Sequence, residues 1–328
     1  MARRAIRLFA IFVLLGLVAG GGAFAWGYAQ FTRPGPGTFD HAVVLAEGSS
    51  LKDIATRLEN AGVIEQPLIF RIGVRLGGWS RGLRAGEFRF PSATSMHAAV
   101  AILRHGETVV RRVTIPEGLS SGQIATLLQQ TQGLNGEITT TPPEGTLLPE
   151  TYHFSYGDGR AELLSRMSQS MEKVLAKLWS ERVKDLPLTS PMEALILASI
   201  VEKETSLRAE RPRVAGVFIN RLRRGMRLQS DPTVVYGITN GANALGRRLK
   251  RKDLDQTTPY NTYRIPGLPP GPIANPGRAA LHAVLHPTIS KDLYFVADGT
   301  GGHAFAATFA QHKRNVRHWR RIQAKGSK

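Results

Sequence analysis

The chain has 328 residues, room for two or three modest domains, and an ordinary globular composition with 42% apolar residues. It has no cysteine, which excludes a disulfide framework and any thiolate-bound metal. Lysine and arginine exceed the acidic residues by 18, so an anionic partner is expected.

The N-terminus carries Arg3, Arg4 and Arg7 and no acid, then an uncharged run over 8–31. That run is long enough to span a bilayer, which takes roughly 20 residues. The preceding arginines orient residues 1–7 to the cytoplasm. A cleaved signal peptide with Ala23-Phe24-Ala25 as its small-residue site is the rival. The apolar run continues past that site, so an uncleaved anchor is preferred. Either reading exports everything after residue 31, and export argues against nucleic acid as the anionic partner. Lipid headgroups and an acidic wall polymer remain for the basic clusters at 221–227, 247–252 and 313–328, which also read as solvated helix faces.

Residues 32–38 form a Pro/Gly linker. Then come a strand over 41–46, a helix over 51–60, a Pro67-led helix over 68–76, a strand over 86–90, a helix from Ser95 to Leu103 and a strand over 108–115. Glu47-Gly48-Ser49-Ser50 with Ile54-Ala55-Thr56 recurs as Glu117-Gly118-Leu119-Ser120 with Ile124-Ala125-Thr126, 70 residues on. Each copy reads as strand, Gly turn and Ser-capped helix. A strand–helix–helix–strand unit of this size suits a small carbohydrate-binding module of the LysM type.

Residues 131–151 are turn-rich. Helices follow over 160–179 and over 191–205, capped by Ser190. Another begins at Arg211-Pro212 and ends at Gly225, with Val214, Val217, Phe218 and Leu222 as its buried stripe. Ser230-Asp231-Pro232 caps a turn through Tyr236. Residues 259–277 form a Pro/Gly loop, Asn275-Pro276 caps a helix to Leu285, and strands over 293–297 and 303–307 make a hairpin. The fold class is α+β: a transmembrane helix, a small βααβ module, and a helix-rich domain with a small antiparallel sheet. The expected boundaries are 1–7 cytoplasmic, 8–31 anchor, 32–38 linker, 39–113 LysM-like module and 114–328 catalytic domain.

In the helix over 191–205, Leu197, Ile200, Val201 and Glu204 share one face, while Glu202 lies well around from it. A carboxyl on the buried side of a helix end is desolvated, and its pKa rises. A protonated carboxyl is what glycosidic cleavage requires. Spacing alone favours the plainer alternative, a last-turn glutamate that reaches solvent or pairs with an arginine. Tyr236, Tyr260 and Tyr263 offer flat faces for sugar rings, and Gln229, Asp231 and Asn261 offer hydrogen bonds, although such residues also serve packing and turns. His303 and His312 lack a standard metal-ligand spacing, so no metal and no cofactor is expected. No nucleophile elbow, P-loop or dinucleotide fingerprint occurs.

Several blocks in order resemble one known family: ASIVEKET at 198–205, VFINRL at 217–222, MRLQSDPTV at 226–234, YNTY at 260–263, GLPPGPI at 267–273 and YFVAD at 294–298, with EG at 144–145 and LPETY at 148–152. They look like the endolytic murein transglycosylases, the MltG/YceG-like family. The resemblance implies a bacterial inner-membrane enzyme that cuts peptidoglycan glycan strands internally between MurNAc and GlcNAc. It implies 1,6-anhydro-MurNAc ends, termination of growing strands, and peptidoglycan synthases as neighbours. The family's catalytic acid is the second glutamate of the EKET motif, here Glu204. The intramolecular nucleophile makes a second carboxylate unnecessary. A hydrolytic muramidase using Glu204 and Asp231, and a non-catalytic tethered wall-binding protein, are the alternatives.

Overall fold

The computed structural model describes residues 2–242 and 244–326; the last two residues of the basic tail lie outside them. By internal contacts the chain divides into two compact units. One is 1–111 with 153–158, and the other is 112–152 with 159–328.

The first unit begins with α1 (Ala2–Thr32), whose residues 3–32 are long and apolar enough to cross a membrane. Next come β1 (His41–Leu45), α2 (Leu51–Asn60), α3 (Pro67–Leu76), β2 (Gly86–Phe90) and α4 (Met96–His105). β1 and β2 pair antiparallel, with Val43 opposite Phe88 and Leu45 opposite Gly86. Leu45, Leu58, Phe70, Val74, Phe88, Phe90 and Leu103 form the sealed core. Each such side chain contributes about 1.5–3 kcal/mol by leaving water.

β3 (Val110–Thr114) pairs with β4 (Thr151–Ser155). The strand β4 lies just beyond the turn-rich stretch, where five residues of alternation gave too short a pattern to stand out. α5 (Ser121–Gln130) lies between them. The repeated turn is physically the same device at both places. Gly48 and Gly118 adopt φ of 77° and 78°, which favours glycine. Ser50 and Ser120 then accept from the backbone N–H of Asp53 and Gln123, both at 3.2 Å, in reciprocal capping boxes.

The second unit continues with α6 (Arg160–Ser180), α7 (Pro191–Glu204), α8 (Arg211–Arg223), α9 (Asp231–Thr239), α10 (Arg251–Asp255), α11 (Arg278–Leu285), β5 (Tyr294–Ala297), β6 (His303–Ala306) and α12 (Phe309–Gly326). β5 and β6 pair antiparallel. α7 is the hub, packed by α6, α8, α9 and α11. Every residue from Ala194 to Glu202 is buried. The expected one-sided stripe is therefore a helix covered all round, as its uncharged run over 194–201 allows. α8 comes very near the loop after α11: a Cβ on Gly216 would lie 2.5 Å from Thr288 O. The expected Asn275 cap is replaced by Gly277 as the N-cap of α11. Asn275 is fully buried instead. Its Oδ1 accepts from Leu147 N–H at 2.9 Å, and its Nδ2 donates to Leu119 O at 3.0 Å and Glu144 Oε1 at 3.1 Å.

Candidate active site

Glu204 ends α7, where Thr205 turns extended as the C-cap. The partner that reaches it comes from 26 residues on. Gln229 holds a left-handed φ of 53°, and its N–H donates to Thr262 O at 3.2 Å. The next N–H, of Ser230, donates to Thr262 Oγ1 at 3.0 Å. This kink delivers the buried Ser230 to the end of α7, and its hydroxyl donates to Glu204 Oε1. Ser230 is the N-cap residue of α9, but its side chain makes no capping bond there.

Burial pushes the Glu204 carboxyl up to about 7 from an ordinary 4.5. The Ser230 hydroxyl, which stabilises the charged form, opposes that rise. Among the neighbouring charges, Asp231 adds to the rise, and His303 and Arg221 oppose it. A carboxyl balanced near neutrality can both give and take a proton.

Two basic side chains near Glu204, Arg221 and His303, are tied down elsewhere. Arg221 is buried in α8, donates from Nε to Leu293 O at 2.7 Å and from Nη1 to Leu228 O at 2.6 Å, and lies 5.3 Å from the centroid of the Tyr294 ring. It thus ties α8 to the approach to β5 and to the segment that leads into Ser230. His303 is gripped by Glu210, through its backbone N–H at 3.0 Å and its Nδ1 at 2.7 Å.

Glu202, two residues before the half-buried Glu204, is buried and is also raised by desolvation. Its two oxygens are occupied, one by Arg211 Nη2 at 2.6 Å and the other by Gly277 N–H at 2.9 Å, and Arg211 also reaches Glu117 at 3.0 Å. By exposure Glu202 is the more deeply buried, and desolvation therefore does not separate the two glutamates. Bonding does: Glu202 is locked into a scaffold that joins α7, α8 and the start of α11.

The other candidates divide into groups. Asp231 is exposed at the first turn of α9, and Tyr263 donates its hydroxyl to Asp231 Oδ1 at 2.7 Å. Tyr236 lies 4.8 Å from Tyr260 by ring centroids, and its hydroxyl donates to Glu144 Oε2 at 3.4 Å. A cleft of about 510 Å³ runs along α9 between Asp231, Val235, Tyr236, Ser120, Lys203 and Arg247. Gln229 is exposed beside Ser230. Asn261 is fully buried. Its Nδ2 donates to Leu254 O at 3.1 Å and Gln256 O at 2.6 Å, and its Oδ1 accepts from Tyr263 N–H at 3.0 Å. It shapes the loop that presents Tyr260 and Tyr263 and offers no surface to a sugar.

Sequence reasoning missed Ser230, Arg221, and the His303–Glu210 pair as neighbours of Glu204. A serine before Asp-Pro reads as a cap, and an arginine at the end of an amphipathic helix reads as solvated. Only the clash between Arg221 and its apolar neighbours Phe218 and Leu222 hinted otherwise. Among the described residues no group of three or more His, Asp or Glu could hold a metal ion. His312 stacks on Tyr294 at 5.1 Å instead of meeting His303.

The sequence pattern of the YceG-like family matches residues 43–318. A Bacillus subtilis protein named endolytic murein transglycosylase is 32% identical over 82% of this chain and 82% of its own length. A Streptococcus pneumoniae protein of the same name is 30% identical over 93% of this chain, which spans 63% of that protein. The 2.6 Å crystal structure of a YceG-like protein from Listeria monocytogenes superposes with a TM-score of 0.52 at 32% identity, covering 84% of this chain and 98% of that one. With its family pattern, two relatives and a solved structure in agreement over most of its length, the chain belongs to the YceG-like family.

Proposed function

We propose that this protein is a membrane-anchored endolytic lytic transglycosylase. It cleaves the MurNAc–GlcNAc bond inside peptidoglycan strands and leaves 1,6-anhydro-MurNAc ends. The observation that carries the reading is Glu204, a half-buried carboxyl that desolvation raises to about 7, with a serine hydroxyl on its oxygen. The names of the relatives supply the substrate class.

In this mechanism the neutral Glu204 gives its proton to the glycosidic oxygen as the bond breaks. The resulting carboxylate takes the proton from the C6 hydroxyl, whose oxygen attacks C1 of the same MurNAc. One group does both steps because the nucleophile is intramolecular and no water needs activating. Ser230 stabilises the carboxylate between the steps, and Arg221 and His303 add positive potential. Tyr236, Tyr260, Tyr263, Gln229 and Asp231 line the approach for sugar rings. α1 holds the enzyme in the inner membrane with residues after 31 outside the cytoplasm, near the synthases whose strands it terminates. The β1–α2–α3–β2 unit is a LysM-like module that contacts glycan.

Digestion of uncrosslinked glycan strands by the full chain in detergent, followed by mass spectrometry, tests the reading. Anhydro-terminated fragments from strand interiors are expected. Fragments with one added water would instead make Asp231, exposed beside Glu204, the base of a hydrolytic muramidase. Intact strands would leave a binding protein.

A further inference from the structure

The helix α3 has two apolar sides. Phe70 and Val74 enter the core, whereas Leu68, Ile72 and Leu76 recur every fourth residue and remain 63%, 47% and 71% exposed. Single exposed apolar residues are ordinary, but an aligned row marks a contact surface.

What lies beside that row points to its occupant. The end of α1 is built into the same unit. Phe31 is buried, stacks on Trp79 at 6.4 Å, and lies where a Cβ on Gly73 would be 2.5 Å from its ring. Arg33 pairs with Glu65 at 2.5 Å just beyond the helix. An apolar cleft of about 510 Å³ separates the last turns of α1 from α3, lined by Phe24, Tyr28, Ile69, Ile72, Leu76 and Trp79. Phe24 sits about 12 Å before the end of α1 at 1.5 Å per residue, well inside the apolar run. The row on α3 is therefore continuous with the surface that α1 presents to lipid. Residues 67–86 also hold Arg71, Arg75, Arg81 and Arg84 and no acidic residue. An apolar helix face with an arginine rim and a tryptophan is the chemistry of an anionic membrane interface.

We infer that α3 lies in the headgroup region of the exported leaflet, with Leu68, Ile72 and Leu76 among the acyl chains and lipid filling the cleft beside α1. The first unit then lies on the bilayer as a fixed base and does not swing from a flexible tether. The inference rests on α1 being a membrane anchor, as proposed above.

The chain has no cysteine, so single sites can be labelled in the full-length protein. Leu76→Cys and Phe12→Cys, each carrying an environment-sensitive fluorophore, are placed in nanodiscs containing phosphatidylglycerol. Leu76 is exposed, so its substitution leaves the core intact. The label at 76 should lose most of its emission to a nitroxide near the top of the acyl chain and little to aqueous iodide. The label at 12 should respond to a nitroxide deep in the chain. A label at 76 quenched by iodide, with the label at 12 in lipid, overturns the inference and leaves the anchor standing. A label at 76 shielded from both quenchers means that protein covers the face, and also overturns it. A label at 12 quenched by iodide overturns the anchor and this inference together.

Discussion

Replacing Glu204 by glutamine should inactivate the protein and stabilise it, and the stabilisation should depend on pH in one direction. The folded chain holds this proton to about pH 7, whereas the unfolded chain releases it near 4.5. Below pH 4.5 both states keep the proton and the site costs nothing. Between 4.5 and 7 the unfolded chain releases it first, so stability falls as pH rises, and above 7 the whole cost is present. At about 1.4 kcal/mol per pH unit the gap is worth about 3 kcal/mol. Glutamine has no proton to lose and avoids that cost. The variant should therefore match the parent near pH 4 and exceed it by about 3 kcal/mol near pH 8. In a unit of roughly 210 residues this corresponds to a rise in Tm of about 6–12 °C. Thermal melts of the intact chain in detergent at both pH values provide the assay, beside a strand-cleavage assay in which activity should fall at least about 100-fold. A melting difference that is the same at pH 4 and pH 8 would refute the claim that burial dominates the chemistry of this carboxyl.

The neighbours of Glu204 should move the alkaline limb of the cleavage profile, which falls above about pH 7 as the acid ionises. Ser230→Ala removes a bond that favours the carboxylate, so the limb should shift upward by about one pH unit. Asp231→Asn removes a nearby negative charge, so the limb should shift downward while the product remains anhydro-terminated; a switch to hydrated product would sink the single-acid mechanism. Arg211→Ala strands Glu202 and Glu117 without their cation and should cost about 3–5 kcal/mol, read as a large loss of Tm. A variant that melts like the parent would mean the triad carries no structural load.

The helix starts could be read directly, because a cap is a local event. Ser50, Ser120 and Ser190 each bind an N–H three residues ahead, and nothing distant is needed. The apolar run of α1 is equally local. Proximity of Glu204 to apolar spacing marked it as a candidate acid, and the order of the motif blocks pointed to the family. What spacing could not decide was which carboxyl would be free. Glu202 and Glu204 are both raised by burial, and only the fold sets Arg211 and Gly277 on one and Ser230 on the other. Nor could sequence place Asn261 inside its loop or Arg221 beneath the site, since each bonds to carbonyls several residues or a whole element away. A proton affinity is a sum over everything that surrounds a group in space. The residues around Glu204 come from α8, α9 and β6, and only the packed second unit brings them to the end of α7.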